Sequence, residues 1–372
     1  MALIEGMPGE LDSLNSQCFK QESLVATAVV TDAAQLEFRI PGQGDHYVDL
    51  SRSLFNVKVK LLKADNTAYA TTDIIAPVNN LLDSLFSDVK VELNQKQISD
   101  SRNMYHYRAY LEDLFNFNNT SKKKHQTVSL WFQDEAGKFE DATNKGLLAQ
   151  KEFLNGGKTL GLAGKLHCDL FNTSKFILNV IDIRFPYPYK RVEMHNYTIS
   201  MGSQHHTIEN MFLGRIPCRV IIGLVSHPAF SGSFLKNQYN FQHFDVNYLT
   251  LFKNCEQLFS RPYAPTFGTD ATNAMPYIQS FINTGNHLAD DGYCVSMKDW
   301  QNGHCLYPFD LTPDLSAHEQ HWCIQEKGNL QLEIGTKTPF TEAVTLIVYA
   351  EFREILEIDK NRESSIEMAR TN

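Results

Sequence analysis

The chain has 372 residues, 42% of them hydrophobic, with 24 Phe and 15 Tyr, enough apolar material for two ordinary domains or one large β architecture without disulfide support. Acidic residues outnumber basic ones 43 to 34, a formal net charge of −9, which argues against broad, sequence-independent binding to nucleic-acid phosphates. The seven cysteines are widely spaced and odd in number, so reduced thiols are a simpler reading than a secreted disulfide framework.

The opening "MALIEGMPGELDSLNSQ" lacks a basic start followed by an apolar run, which predicts no signal peptide. No run of eighteen apolar residues follows anywhere, which predicts no membrane span. Strand signals dominate from there on. "QLEFRI" (35–40) and "LFNVKVKLLK" (54–63) alternate apolar and polar residues, with Phe55, Val57, Val59 and Leu61 facing one way, and "PGQGDHY" turns the chain between them. "PVNNLLDSLF" (77–86) carries Leu81, Leu82, Leu85 and Phe86 on one helical face behind a starting Pro. "DVKVELN" (88–94) returns to strand alternation, with Val89, Val91 and Leu93 inward. "NMYHYRAYLEDLFNF" (103–117) is the best helix, with Met104, Tyr107, Leu111, Leu114 and Phe115 recurring at spacings of three and four. Lys122, Lys123 and Lys124 sit among Asn, Thr and Ser and read as a solvated loop. "RVIIGLV" (219–225), "FDVNYLTLF" (244–252), "NLQLEI" (329–334) and "VTLIVYAEF" (344–352) follow, most of them rich in β-branched or aromatic residues, and predict strands. Residues 255–299 show no sustained period and read as a long functional loop. Short strands joined by long loops indicate a sandwich or jelly roll.

Candidate chemistry is sparse. "QNGHCLYPFDLTPDLSAHEQHWC" (301–323) offers Cys305, His318, His321 and Cys323, with His304 in reserve, but zinc ligands need two close pairs across a loop. His304 and Cys305 are adjacent, and His318, His321 and Cys323 are tighter than usual, so these read as polar loop residues beside buried Cys and Trp. His205, His206 and Glu209 in "QHHTIEN" have no supporting second motif and read as a solvated loop or helix entry. "PGQGD" and "LNGGK" are turns without a strand–loop–helix phosphate context, and Asp290-Asp291 reads as solvated charge. Neither G-x-S-x-G, G-x-x-x-x-G-K-[ST] nor H-E-x-x-H occurs. No catalytic, cofactor-binding or metal-ligating residue is assigned, and no cofactor is expected.

Several segments in constant order carry a resemblance. They are "GQGDHYVDLSRSLFNVKVKLLKADN" (42–66), "APVNNLLDSLFSDVKVELNQKQIS" (76–99), "NMYHYRAYLEDLFNF" (103–117), "GKLHCDLF" (164–171) and "RVEMHNYTI" (191–199). They continue with "MFLGRIPCRVIIGLVSHPAFSGSFLKNQYNFQHFDVNYLTLF" (211–252), "NGHCLYPFDLTPDLSA" (302–317) and "VYAEFREILEIDKNR" (348–362). This pattern resembles the major capsid proteins of Polinton (Maverick) elements and adintoviruses, including uncharacterised homologues encoded in animal genomes. The resemblance implies an all-β double jelly roll, two fused antiparallel β-sandwiches with one or two short helices. It also implies a non-enzymatic subunit whose trimers form pseudo-hexagonal capsomers of an icosahedral shell. The implied partners are further copies of the chain, with penton or minor capsid proteins beside them, and neither sequence-specific nucleic acid nor a membrane. Within the pattern, Asp310, Thr312 and Asp314 would satisfy turn hydrogen bonds around Pro313, with Trp322 and Cys323 packed beneath a loop. Tyr239, Phe241, Phe244 and Tyr248 would serve the core in preference to a subunit contact.

The pattern departs from the family after "FILNVIDIRF" (176–185), where the chain passes directly to "PYPYKRVEMHNYTI". Family members carry a further strand-rich segment there, so the first roll is expected to be incomplete and the chain to be a decayed, mis-spliced or domesticated copy. The expected division is an arm at 1–29, rolls at 30–185 and 186–358, and a tail at 359–372. Such a chain would sit in a virion if functional, and otherwise in the cytoplasm or nucleus. A β-sandwich binding module, with a glycan groove in 255–300, is the alternative, and a metal-dependent hydrolase would rest on the Cys/His segment alone.

Overall fold

The computed structural model describes residues 3–4, 37–38, 47–63, 65, 67–70, 73, 75–93, 96–154, 157–173, 176–178, 185–259, 261–268, 273–287, 292–318, 323, 326–358 and 364–366. The first half places strands β1 (Leu3–Ile4), β2 (Tyr47–Val48), β3 (Leu54–Lys60), β4 (Val91–Leu93), β5 (Lys96–Ser99), β6 (Thr159–Lys165) and β7 (Phe176–Leu178) in small antiparallel sheets. Their orders are β1–β7–β2, β3–β6 and β4–β5. In β3 the predicted alternation is observed: Phe55, Val57 and Val59 are half-buried, while Leu54, Asn56, Lys58 and Lys60 are exposed. That face closes over Leu81, Leu82, Leu130, Leu160 and Leu162.

The second half is a two-sheet sandwich. Its strands are β8 (Phe185–Ile199), β9 (His205–Arg215), β10 (Arg219–Ser226), β11 (Val246–Lys253), β12 (Glu256–Gln257), β13 (Leu306–Asp310), β14 (Lys327–Thr336) and β15 (Val344–Ile358), and a short β16 (Ser364–Ile366) follows. One sheet runs β13–β10–β15–β8, with β16 extending the end of β15, and the other runs β12–β11–β14–β9. All pairings are antiparallel. Every residue of β10 is buried, as a central strand covered on both faces must be. The core between the sheets includes Met194, Val220, Ile222, Leu249, Leu251, Leu332, Ile334, Leu346 and Val348. Gly223 in β10 lets that core close: a Cβ there would lie 2.5 Å from Phe241 Cδ1 and 2.7 Å from Leu306 Cδ2.

More helix is present than the pattern predicted. The described helices are α1 (Leu81–Ser84), α2 (Tyr105–Asn116), α3 (Asn119–Lys123), α4 (Lys145–Leu154), α5 (His227–Phe230), α6 (Ala274–Ile282) and α7 (Met297–Gln301). The 77–86 helix shrinks to one turn, because Asn80 stands in the left-handed region at φ 51° and blocks extension backwards. The 255–299 segment is not a structureless loop but carries α6 and α7, short amphipathic turns whose apolar sides meet the sandwich. Lys122 departs from its solvated reading. It is buried in α3, donates to the Leu114 carbonyl at 3.1 Å and lies 5.2 Å from the Trp131 ring centre. Burial lowers its pKa to about 8. Of the other sequence assignments, 35–40 lies almost wholly outside the described residues.

Candidate functional site

Helix α2 is buried on nearly all sides, from Tyr107 through Phe115. Its apolar stripe is the predicted one. Met104, Tyr107, Leu111, Leu114 and Phe115 join the second-half core, with Tyr110 stacked on Tyr239 at 4.1 Å and 3°. Tyr239 and Phe241 are fully buried and Phe244 packs half-buried against the same core, as side chains of that size require to shed water.

The other side of α2 carries charge, and the first half is built to meet it. Arg108 Nε donates to Glu112 Oε1 at 2.9 Å, and Arg108 Nη2 lies 2.7 Å from Asp169. Asp169 belongs to a 3-10 turn, Asp169–Asn172, and also accepts the Val192 amide of β8 at 3.1 Å. The second oxygen of Glu112 accepts from His167 Nδ1 at 2.8 Å and from Asn172 at 3.0 Å. His167 Nε2 lies 3.5 Å from Asp113 Oδ1. Asp113 accepts from Asn80 Nδ2 at 3.0 Å and Gln126 Nε2 at 2.9 Å. Asp83 accepts the Tyr105 hydroxyl at 2.9 Å, and that hydroxyl in turn accepts the His167 amide at 3.1 Å.

Burial by itself would push Glu112 up, yet the Arg108 and His167 charges hold it down at about 2. Asp113 rises to about 7 because it is buried and faces Asp83 and Glu112, outweighing His167. His167 is pulled to about 9 against its burial by Asp113, Glu112 and Asp83. The network thus joins α1, α2, the segment after β6 and the start of the second sandwich through charges that cannot separate cheaply. The i, i+4 spacing of Arg108 and Glu112 was visible in the sequence. Asp83, His167 and Asp169 gave no signal, being brought to α2 only by the chain path.

Among the described residues, the Cys/His segment does not converge. His304 is buried, its Nε2 3.2 Å from the Tyr110 hydroxyl and its ring 5.1 Å from Phe139, and burial lowers its pKa to about 4. Cys305 is buried with Sγ 3.2 Å from the Tyr307 hydroxyl, and burial pushes its thiol up to about 12. His318 is exposed, with its ring over Gly285, and Cys323 contacts Asp314 at 3.1 Å. His321 and Trp322 lie outside the described residues, as do Asp290 and Asp291. The turn chemistry around Pro313 is observed: Asp310 accepts from the Thr312 amide (2.9 Å), the Thr312 hydroxyl (2.6 Å) and the Ala317 amide (3.0 Å). His205, His206 and Glu209 form neither loop nor helix entry. They lie along β9, where period-2 geometry keeps His205 and Glu209 exposed and His206 half-buried.

The aromatic residues of 255–300 also turn inward. Tyr263, Tyr293 and Trp300 are buried and Phe267, Tyr277 and Phe281 pack half-buried on the core, with Tyr293 stacked on Phe115 at 4.5 Å. A concavity between Ile216, Pro217, Leu311, Pro313 and Arg353 encloses about 40 Å³, water-sized and far below an organic ligand site. Among the described residues, no helix is long and apolar enough to cross a membrane.

Apolar side chains gather outside at one end of the second sandwich. Ile199, Val344 and Ser226 are register neighbours there, so the turns after β8 and β10 flank the turn before β15. They carry exposed Met201, Phe234 and Leu235, the last two at 110% and 85% of full exposure. Lys236 anchors their loop on Glu342 at 2.8 Å and on the Ser226 hydroxyl at 2.9 Å.

The overall arrangement is a double jelly roll, and the solved structures it superposes on are viral capsid proteins. The PBCV-1 virus capsid protein superposes with a TM-score of 0.55 at 10% identity, over 93% of this chain and 95% of that one. The structure described as PBCV-1 VP54 fitted into a reconstruction of the virophage Sputnik gives 0.56 at 10% identity over the same shares. The Sputnik virophage structure gives 0.52 at 11% identity over 94% of each chain. By sequence, the uncharacterised protein F54H12.2 of Caenorhabditis elegans is 20% identical over 403 residues, covering 89% of this chain and 93% of the relative. No family model matches.

Proposed function

We propose that this chain is a shell-forming structural subunit, a major capsid protein of a Polinton- or adintovirus-like element, and that it associates with copies of itself as trimeric capsomers. The observation that carries the reading is the whole-chain correspondence in fold with capsid subunits, across both halves and not one sandwich alone. The exposed Phe234–Leu235 loop, anchored through Lys236, supports it, because exposed apolar side chains concentrate binding energy at subunit contacts. The inward-turned aromatics of 255–300 weigh against the glycan-binding alternative.

The division into rolls at 30–185 and 186–358 belongs to the same proposal, with β8 opening the second. So does the degenerate state of the first roll. Two features support it: the described first-half strands form only two- and three-stranded sheets, and the alignment with the worm protein is longer than this chain, so part of that relative has no counterpart here. An unclosed sandwich leaves edge strands and core faces that must be covered by something else.

Light scattering and electron microscopy of the purified chain test both points. Concentration-dependent trimers support the subunit reading, and a strict monomer at high concentration sinks it. Irregular or absent shells support the incomplete roll, whereas closed regular particles contradict it.

A further inference from the structure

Asp83, Asp113 and His167 come from α1, α2 and the segment after β6, all three are buried, and their ligand atoms lie within 4.8 Å of one another. The imidazole is prepared in the way metal-binding histidines are. Glu112 holds Nδ1 at 2.8 Å, and Arg108 and Asn172 hold Glu112, so Nε2 faces Asp113 Oδ1 at 3.5 Å. Two donors each about 2.1 Å from a tetrahedral zinc ion sit about 3.4 Å apart.

An independent observation points to a ligand. Asn80 and Gln126 are buried and direct their amide groups at the two oxygens of Asp113, yet Asn80 Oδ1 and Gln126 Oε1 have no hydrogen-bond partner. A buried amide oxygen left unpaired is costly. The oxygen and nitrogen of each amide exchange places by a half-turn, which would aim the orphaned oxygens at the carboxylate. A cation between them makes that arrangement favourable for both amides, whereas a proton on Asp113 would serve only one. The charge count agrees: among the described residues the carboxylates of Asp83, Glu112, Asp113 and Asp169 face the cations Arg108 and His167, with Lys122 a further charge acting on Asp113, which leaves negative charge in surplus.

We propose that Asp83, Asp113 and His167 bind a divalent transition-metal ion of the zinc type, with the Asn80 or Gln126 amide oxygen completing the set. A donor set of one imidazole with carboxylate and amide oxygens suits zinc. The ion replaces the proton on His167 and offsets the surplus negative charge. Its role is structural: it staples α1 and α2 to the segment leaving β6. The proposal stands apart from the assembly reading, since a chain that forms trimers without binding zinc overturns this inference alone.

The test uses the full chain, stripped with a chelator, shown to be folded by circular dichroism, and titrated with zinc chloride. One equivalent is bound and the melting temperature rises. Asp113→Asn and His167→Gln each weaken binding more than tenfold, and Glu112→Gln weakens it roughly 10- to 100-fold. His318→Ala and Cys323→Ser leave it unchanged. Cobalt(II) loaded into the wild-type chain decides the matter if those variants unfold, giving visible bands without sulfur-to-cobalt charge transfer. A folded, stripped chain that takes up no zinc, binding that survives the Asp113 and His167 substitutions, or a thiolate charge-transfer band each overturns the proposal.

Discussion

Arg108→Met is the most direct probe of the charged side of α2. The guanidinium is 1% exposed and neutralises two buried carboxylates, Glu112 at 2.9 Å and Asp169 at 2.7 Å. Methionine keeps much of the side-chain volume, so packing is largely preserved and the charge is the main thing lost. Glu112 keeps His167 and Asn172, but Asp169 is left with the Val192 amide. Breaking a buried pair from one side costs about 3–5 kcal/mol, a large share of a total stability of about 5–15 kcal/mol. Urea melts of wild type and variant, taken at neutral pH on metal-free protein, measure the difference. Adding Asp169→Asn to the variant removes the stranded charge and restores part of the loss. A cost below about 1 kcal/mol, the range of exposed pairs, would refute the reasoning, as would a double variant no more stable than the single one.

Three further outcomes are expected. Stability of the metal-free chain declines as pH rises from 6.5 through about 9: the folded state holds the His167 proton more tightly than the unfolded state, so its contribution is complete below 6.5 and gone above 9. His167→Gln flattens that window, and a decline of equal slope in the variant would point to another group. Gly223→Ala forces a Cβ against Phe241 and Leu306 and costs about 1–3 kcal/mol by overpacking, which Phe241→Leu partly relieves; a neutral result in chemical denaturation would count against the close approach. Phe234→Asp with Leu235→Asp weakens self-association by roughly 30-fold, the worth of a hot spot of about 2 kcal/mol, and leaves the unfolding free energy within about 0.5 kcal/mol of wild type. Sedimentation that detects no change in association would remove this loop from the contact.

Much of the architecture was legible in the chain itself. Period-2 alternation placed β3 and its inward Phe55, Val57 and Val59. Apolar runs, most of them β-branched or aromatic, placed β10, β11, β14 and β15, and the spacing of Met104, Tyr107, Leu111 and Leu114 placed α2. These features are local, because a side chain's face follows from its position in a repeat. Asp310 was legible for the same reason, its partners Thr312 and Ala317 lying within seven residues.

Lys122, the 205–209 stretch and the charged network were not legible, and the physical cause is common to them. Polar residues on their own read as solvated, and only a distant partner makes their burial tolerable. Lys122 needed the Leu114 carbonyl and Trp131; His205 and His206 needed β14 to become strand; Arg108 needed Asp169, 61 positions away in the chain. Local periodicity therefore determined which segments are strands and which faces are apolar. The tertiary structure alone decided where charge could be buried, because that depends on which opposite charges and hydrogen-bond partners the chain path brings within reach.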